Sequence, residues 1–408
     1  MKKHLCVFGA LAVLACAAVA QQGAVPTGIP QLNHVWVIMM ENHGYPQIVN
    51  NPNAPFINSY AAGHHTSTNY FAVAHPSLTN YLEMNGGSNF GVLDDNSPDW
   101  GNATCSPNIA TGVPNLESSG NNICPIAGTG TDAATPVLDC SNEVSGPPCE
   151  IEIDGNASFP ANANTLGISI ADQLVSAGKT WKSYQESLPV GTAYGVDAAD
   201  GDLSNLTNFD LLPGFNSGQI VNLYAVKHNP FVYFASVQQG TNPALSVGRV
   251  QDFNALYRDL GAGTVPNYSF IAPNQCHDMH GRSTSTPFCG NDPNDNGTQT
   301  GLNPALIQLG DLTVQRLVTA IHRSPAWKVG HNAIVLIWDE NDYSVQPIIN
   351  QVLAVVDTNY SEHPASKSNQ FYTHFSLLKS LEGGFGLPCL NNACAQSVST
   401  MTDLFSAK

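Results

Sequence analysis

The chain is short of charge and shorter still of basic residues. Charged side chains make up 11% of its 408 positions, with 14 Lys and Arg against 31 Asp and Glu and a formal net charge of −17. Such a field repels polyanions on average, which excludes nucleic acid as a partner. Any phosphate-binding site must then be local, with a metal as the natural source of positive charge. Gly-x-Ser-x-Gly is absent, so the nucleophile elbow of an α/β-hydrolase is excluded. No two cysteines stand as C-x-x-C, which removes the common spacing of a zinc cluster. No internal repeat occurs, and past residue 20 no apolar run is long enough to span a bilayer, so stable membrane insertion is not expected.

At the start, Lys2 and Lys3 precede an apolar run from Leu5 to Val19 that closes on Ala18-Val19-Ala20. This reads as a secretory signal cleaved near Ala20, and the product is expected to be secreted or periplasmic. Val13-Leu14-Ala15-Cys16 loosely matches a lipoprotein cleavage site, so a tethered form stays open as the alternative. Residues 21–408 are read as one α/β domain with insertions. Of ten cysteines, Cys6 and Cys16 leave with the signal. The others fall as sequence neighbours, Cys105 with Cys124, Cys140 with Cys149, Cys276 with Cys289 and Cys389 with Cys394, and local loop-closing disulfides are expected in an oxidising compartment. The stretch of about 86–160 is rich in Gly, Asn, Ser and Pro and carries four of these cysteines, as a disulfide-pinned insertion would. Within it, Asp94-Asp95-Asn96 is read as a solvated acidic loop, with calcium binding as the sharper alternative.

Three apolar runs stand out as strands buried on both faces of a parallel sheet: His34–Met40, Tyr268–Ala272 and 333–338. Each runs into polar residues, namely Glu41-Asn42-His43, then Asn274 to His280, then Asp339-Glu340-Asn341-Asp342. In open α/β sheets the chemistry lies beyond the carboxyl ends of the strands. Satisfied turns are the plain alternative for each. Adjacent carboxylates at a strand end repel one another unless a cation lies between them, so Asp339 and Glu340 point to a metal. Further strands are expected at 181–186 and 230–234, and helices at 165–178, 250–260, 303–322 and 375–381, the last stopped at Gly383-Gly384. Asp292 to Gly297 matches the first half of an EF-hand loop, but Asn303 stands where the bidentate Glu belongs, so a turn-rich loop is the better reading.

Ala74-His75-Pro76-Ser77 opens a helix that runs to Gly86-Gly87, with Ser77 where an N-cap belongs. Backbone N–H groups and the helix dipole there favour both an alkoxide and an incoming phosphate. An ordinary capping serine is the alternative. His374 falls in the first turn of its helix, where a neutral imidazole is favoured over a cation.

Six segments in order carry a resemblance: Met39-Met40-Glu41-Asn42-His43, His75-Pro76-Ser77-Leu78-Thr79-Asn80-Tyr81, Lys227-His228-Asn229-Pro230-Phe231, Asn274 to His280, Trp338-Asp339-Glu340, and Thr373-His374-Phe375-Ser376-Leu377-Leu378. Together they resemble the bacterial and fungal phosphoesterase family, which holds acid phosphatases and phospholipases C within the alkaline phosphatase superfamily. The resemblance spans about residues 33–388 and implies an alkaline-phosphatase-like sandwich, a central mostly parallel sheet flanked by helices with disulfide-pinned loop insertions. By position it implies that Glu41, Asn42, Asp339 and Glu340 bind a divalent metal and that Ser77 is the nucleophile. Asn80 corresponds to a phosphate-contacting amide, and His228, His280 and His374 to histidines around the phosphate, with ligand, acid and oxyanion-donor roles left open among them. Gly44 stands where a serine is usual, and Glu340 where some members have Asp, which bears on metal choice.

The implied chemistry is attack by Ser77 on a phosphate ester and hydrolysis of the resulting phosphoserine by water. One metal, or a second held by His280, His374 and Asp278, would neutralise charge. A secreted acid phosphatase acting on small phosphomonoesters is expected, because the chain ends soon after the His374 helix, without the extra domains of many phospholipase relatives. A phospholipase C-type phosphodiesterase is the alternative, and a non-catalytic secreted binding protein the alternative of another class. Oligomeric state is not legible.

Overall fold

The computed structural model describes residues 22–93, 95–98, 115–116, 123–127, 129–130, 165–188, 223–282, 289–341, 350–362 and 364–406. The signal segment, Asp94, Cys105, Cys140, Cys149, Asp342 and most of the insertion lie outside them.

Eight strands form one sheet: β1 (His34–Met40), β2 (His65–Ser67), β3 (Trp181–Gln185), β4 (Val250–Asp252), β5 (Tyr268–Ala272), β6 (Asn332–Trp338), β7 (Ala354–Thr358) and β8 (Lys367–Ser368). Their spatial order is β8-β2-β7-β6-β1-β5-β3-β4. β1 lies between β5 and β6, parallel to both, and β3 and β4 continue the parallel half. β7 is antiparallel to β6 and to β2, so the sheet is mixed and mostly parallel. Val35 to Met40, all of β5 and all of β6 are buried, as runs without polar alternation require when helices cover both faces.

The longer helices fall into two packed groups. α2 (Ser77–Gly86), α3 (Ile170–Ser176) and α6 (His374–Phe385) contact one another, and α1 (Pro55–Gly63), α4 (Phe253–Ala262) and α5 (Pro304–Arg323) form the other group. α5 keeps Leu306, Ile307, Val314, Leu317, Val318 and Ile321 buried on one face and leaves Leu312 exposed, as its spacing predicts. Asn303 caps it by accepting from the Ala305 N–H at 3.1 Å.

Several expectations need correction. Residues Pro230–Tyr233 form a 3-10 helix, because Pro230 in its first turn has a helical φ and no N–H for a ladder, and of the expected strand only Phe234 pairs, in an isolated bridge with Ile126. Val250–Asp252 is an edge strand, and α4 begins only at Phe253, capped by Asp252. Thr165–Leu166 is a short strand, with α3 starting after the Ser169 cap. α6 does not stop at Gly383-Gly384 but runs to Phe385 and ends on Gly386 with φ 71°. Gly384 is there for close approach: a Cβ on it would lie 2.5 Å from Leu32 Cδ1, and its carbonyl accepts from the Leu32 N–H at 2.8 Å.

Two of the expected disulfides are present, Cys276–Cys289 and Cys389–Cys394. Cys124 is also disulfide-bonded. In the Asp292 loop, Asp292 Oδ1 accepts from the Asn303 N–H at 2.6 Å and Oδ2 lies 2.9 Å from His43 Nε2. No described helix is long and apolar enough to cross a membrane.

Candidate active site

The register of β1 against β6 builds the site. Met40 stands opposite Trp338, and the Asp339 N–H donates to the Met40 carbonyl at 3.0 Å, so both strands end at one level. Glu41-Asn42 and Asp339-Glu340 therefore leave the sheet side by side. Asn42 takes φ 48°, a left-handed conformation that Asn tolerates better than most residues, and its N–H donates to Asp339 Oδ1 at 3.0 Å. The segment after β5 folds against the same edge, where the Glu41 N–H donates to the Asp278 carbonyl at 2.9 Å.

Ser77 meets this pair from α2. Pro76 rather than Ser77 occupies the N-cap position, with no side-chain cap, and Ser77 is the first helical residue. Its hydroxyl is thus not spent on capping. Oγ lies 3.1 Å from Glu41 Oε2, 3.1 Å from Glu340 Oε1 and 3.4 Å from Asn42 Oδ1. A hydroxyl has one proton, so it cannot satisfy three acceptors at once, and the remaining close oxygen contacts call for a cation. Asp339 Oδ2 is buried nearby with no hydrogen-bond partner. Burial pushes the Glu41 carboxyl well above the usual range, with Asp339 adding to it. It also drives Asp339 up to about 6, and Glu340 up to about 8 with His75 opposing. Carboxyls so reluctant to ionise, converging on one hydroxyl, are a donor set suited to a hard divalent ion.

The histidines separate by their partners. Glu41, His228 and His280 place ligand atoms within 4.8 Å of one another, a second group able to hold a metal. His280 Nδ1 donates to the Gly281 carbonyl at 2.8 Å, which leaves a lone pair on Nε2. Burial, then Lys227, pushes its pKa down to about 3, and the same causes push His228 well below the usual value. The His228 Nε2 lies 3.2 Å from Glu41 Oε1 and Nδ1 lies 3.3 Å from Asp278 Oδ2, while its ring stacks on Tyr81 at 5.4 Å.

His374 goes elsewhere. Its Nε2 donates to the Asp339 backbone carbonyl at 2.6 Å and Nδ1 accepts from the Tyr70 hydroxyl at 3.1 Å, so the ring is neutral and engaged at both ends, with burial pushing its pKa down to about 4. Its ring is thus committed away from His280 and Asp278, unlike the expected second-metal group, and the residues whose ligand atoms lie together are Glu41, His228 and His280. Asn80 is also committed to the protein: Oδ1 accepts from the Val73 and Ala74 N–H groups at 3.0 Å, and Nδ2 donates to the Ala74 carbonyl at 2.6 Å and to Glu340 Oε2 at 3.2 Å.

Residues not singled out from the sequence complete the cluster. Tyr81, four residues after Ser77 and so on the same helix face, donates to Glu41 Oε1. His75 Nδ1 lies 2.7 Å from Glu340 Oε2. Lys227 Nζ sits 2.9 Å from Asp95 Oδ2 and 3.4 Å from His280 Nε2, and Asp95 Oδ1 accepts from the Leu78 N–H at 3.1 Å. Asp95 is thus an ion-paired, half-buried residue and not a member of a solvated loop. Tyr81, His75 and Lys227 all adjoin named residues within the same short segments, which was the available signal. Asp95 was marked only as part of an acidic loop open to calcium, because its partners are distant in sequence.

Residues 47–291 match the Phosphoesterase family. The phosphatidylinositol-3-phosphatase of Mycobacterium tuberculosis is 26% identical to the chain over 409 residues, covering 99% of this chain and 94% of that protein. A phosphate-repressible acid phosphatase of Penicillium chrysogenum is 25% identical over 79% of the chain and 52% of its own length, so the chain spans about half of that fungal relative. Among solved structures, a protein in the alkaline phosphatase superfamily from Vibrio parahaemolyticus aligns with 92% of the chain and 72% of its own at 10% identity, with a TM-score of 0.44.

Proposed function

The chain belongs to the phosphoesterase family and is a hydrolase of phosphoric esters, and from that premise we propose that it is a secreted, metal-dependent phosphatase working through a phosphoserine at Ser77. The observation that carries this reading is the set of three side-chain oxygens, from Glu41, Glu340 and Asn42, within 3.4 Å of Ser77 Oγ. Glu41, Asn42, Asp339 and Glu340 would hold one divalent cation, and Glu41, His228 and His280 fit a second. Such an ion, when bound, supplies Lewis acidity that offsets negative charge on Ser77 Oγ and on a phosphoryl oxygen.

The chain's own residues do the rest. Glu41 and Glu340 fix the Ser77 hydroxyl, and one of these carboxylates accepts its proton as Oγ attacks phosphorus. The Oγ–P bond forms while the bond from phosphorus to the leaving oxygen breaks, and the departing alkoxide takes up the Ser77 proton from the carboxyl by way of water. A second water then attacks the phosphoserine, releasing phosphate and restoring the hydroxyl. In this reading His228 and His280 are ligands rather than acids, Tyr81 orients Glu41, and Asn80 and His374 are positioning residues for Glu340 and Asp339. The relative that the chain matches over 94% of its length is a phosphatidylinositol-3-phosphatase, so an inositol-lipid monoester is a substrate class to set beside soluble monoesters.

The test is Ser77→Ala. Turnover of a chromogenic phosphomonoester is expected to vanish with the melting temperature kept, and acid-quenched wild type is expected to carry one phosphoryl group on the Ser77 peptide. Turnover retained in the variant, or activity indifferent to chelator, overturns the reading. Parallel assays on a phosphodiester and on phosphatidylcholine separate a phosphatase from a phospholipase C.

A further inference from the structure

The N-terminus of α2 is not open to an incoming anion, because an anion is already there. Leu78 follows Ser77 directly, and its N–H donates to Asp95 Oδ1 at 3.1 Å. The other oxygen of the same carboxylate lies 2.9 Å from Lys227 Nζ. Asp95 thus spans a backbone donor in the first turn of a ten-residue helix and an ammonium group, the donor pair that would also seat two oxygens of a phosphoryl group. Lys227 in turn reaches inward, with Nζ 3.4 Å from His280 Nε2, so a group held by these donors adjoins both Ser77 and the histidine cluster.

Exposure differs sharply across this short distance. Ser77, Glu41, Asp339 and Glu340 are each at most 1% exposed, whereas the Asp95 side chain is 21% exposed. Asp95, with the partly exposed Asn42 and His280, therefore lies on the solvent-reaching side of the cluster, and the carboxylates around Ser77 lie on its buried side. Lys227 is buried, so the carboxylate can leave it only as another anion takes its place.

We propose that the Leu78 N–H and Lys227 Nζ form the seat of the substrate's phosphoryl oxygens, which Asp95 occupies in the free protein and yields when substrate enters. The inference rests on the reading of Ser77 as nucleophile, since the seat matters by lying beside it. Asp95 and a phosphoryl group cannot share the two donors, because both are anionic and the donors are too few. Asp95 thereby sets how strongly the site holds phosphate, product as well as substrate, and Lys227 sets the preference for an anionic group.

Asp95→Asn removes the charge while keeping an oxygen acceptor for the Leu78 N–H, and Asp95→Ser is a second route to the same end should the amide fold poorly. Binding of inorganic phosphate to the metal-loaded full chain is measured by calorimetry, alongside KM for a chromogenic monoester. Either Asp95 variant is expected to bind phosphate about tenfold more tightly, with KM falling in parallel, because a competing charge has been removed. Lys227→Met is expected to weaken phosphate binding about tenfold or more, and in its background Asp95→Asn should have little further effect. A structural role for Asp95 would instead raise KM and weaken phosphate. Unchanged or weaker phosphate binding in both Asp95 variants, a silent Lys227→Met, or no phosphate binding by any form overturns the proposal. The calorimetry repeated in the Ser77→Ala background reads the seat without turnover, so its failure and the failure of the nucleophile reading are seen separately.

Discussion

His374 holds the backbone of Asp339 and not its carboxylate: Nε2 donates to the Asp339 carbonyl at 2.6 Å while Nδ1 accepts from the Tyr70 hydroxyl. The contact joins the first residue of α6 to the strand end that carries two of the proposed metal ligands. It fixes where Asp339 and Glu340 begin their course away from β6. His374→Phe removes both hydrogen bonds and leaves the buried Tyr70 hydroxyl without its acceptor. We expect metal affinity, read by titrating chelated protein with a divalent ion, to fall about 10–100-fold, as it does when groups that orient ligands are lost. Stability in urea should fall by about 1–3 kcal/mol. His374→Gln keeps a donor of similar reach and should recover part of the affinity. Equal affinity in His374→Phe and wild type would show that the Asp339 backbone needs no such support.

A second prediction concerns stability alone and lies away from the cluster. Glu382 is buried in α6, with Oε1 accepting from the Leu390 N–H at 2.8 Å and Oε2 lacking a partner. Burial pushes its carboxyl well above the usual range, opposed by that N–H and by Lys379. A carboxyl whose pKa is higher folded than unfolded binds more protons in the native state, so its contribution to stability is greatest at low pH and is lost as pH rises past the unfolded value. Glu382→Gln keeps the acceptor for Leu390 and cannot ionise. The variant should match wild type near pH 4 and become more stable than it toward neutral pH, by about 1–3 kcal/mol. Urea melts across that window read the difference, and a gap that shrank with rising pH would refute the assignment.

The parts of the site that can be read in one dimension are those where a change of pattern marks the end of a strand. Val35 to Met40 and 333–338 are apolar without alternation, and the first acid after each run is a proposed ligand. That Glu41 and Asp339 meet follows only from β1 lying next to β6 in register, with Met40 opposite Trp338, and the spacing of the residues holds no trace of that. Ser77 was legible as the opening of a helix but not as its first helical residue, because Pro76 in extended conformation takes the cap position instead. The 230–234 run shows the limit of pattern: five apolar residues fit a strand or a tight helix, and Pro230, with its helical φ and no N–H for a ladder, favours the helix. His374 matched the expected neutral state, yet the direction of its ring is set by Tyr70 and Asp339, at separations of 304 and 35 residues. The Asp95–Lys227 pair, 132 residues apart, was invisible for the same reason.

The last prediction follows a strained residue to the helix that makes room for it. Met279 is buried between Asp278 and His280 with φ 85°, a conformation that costs a non-glycine residue on the order of 1–3 kcal/mol. Its side chain fills the space beside Gly310 of α5, where a Cβ would stand 2.4 Å from Met279 Cγ and 2.5 Å from Cε. Gly310 is therefore needed for the loop that carries Asp278 and His280 to reach Glu41. Gly310→Ala must displace Met279, and overpacking of this kind costs about 1–3 kcal/mol. Because the two neighbours of Met279 lie at the proposed metal site, metal affinity should fall along with stability. Met279→Ala in the same chain creates a cavity when made alone but should relieve the clash when combined with Gly310→Ala, so the double variant ought to be more stable than the sum of the single losses. A thermodynamic cycle from urea melts measures that coupling. Additive losses would mean that α5 and the Asp278 loop are held apart by other contacts, and that the positive φ of Met279 has a different origin.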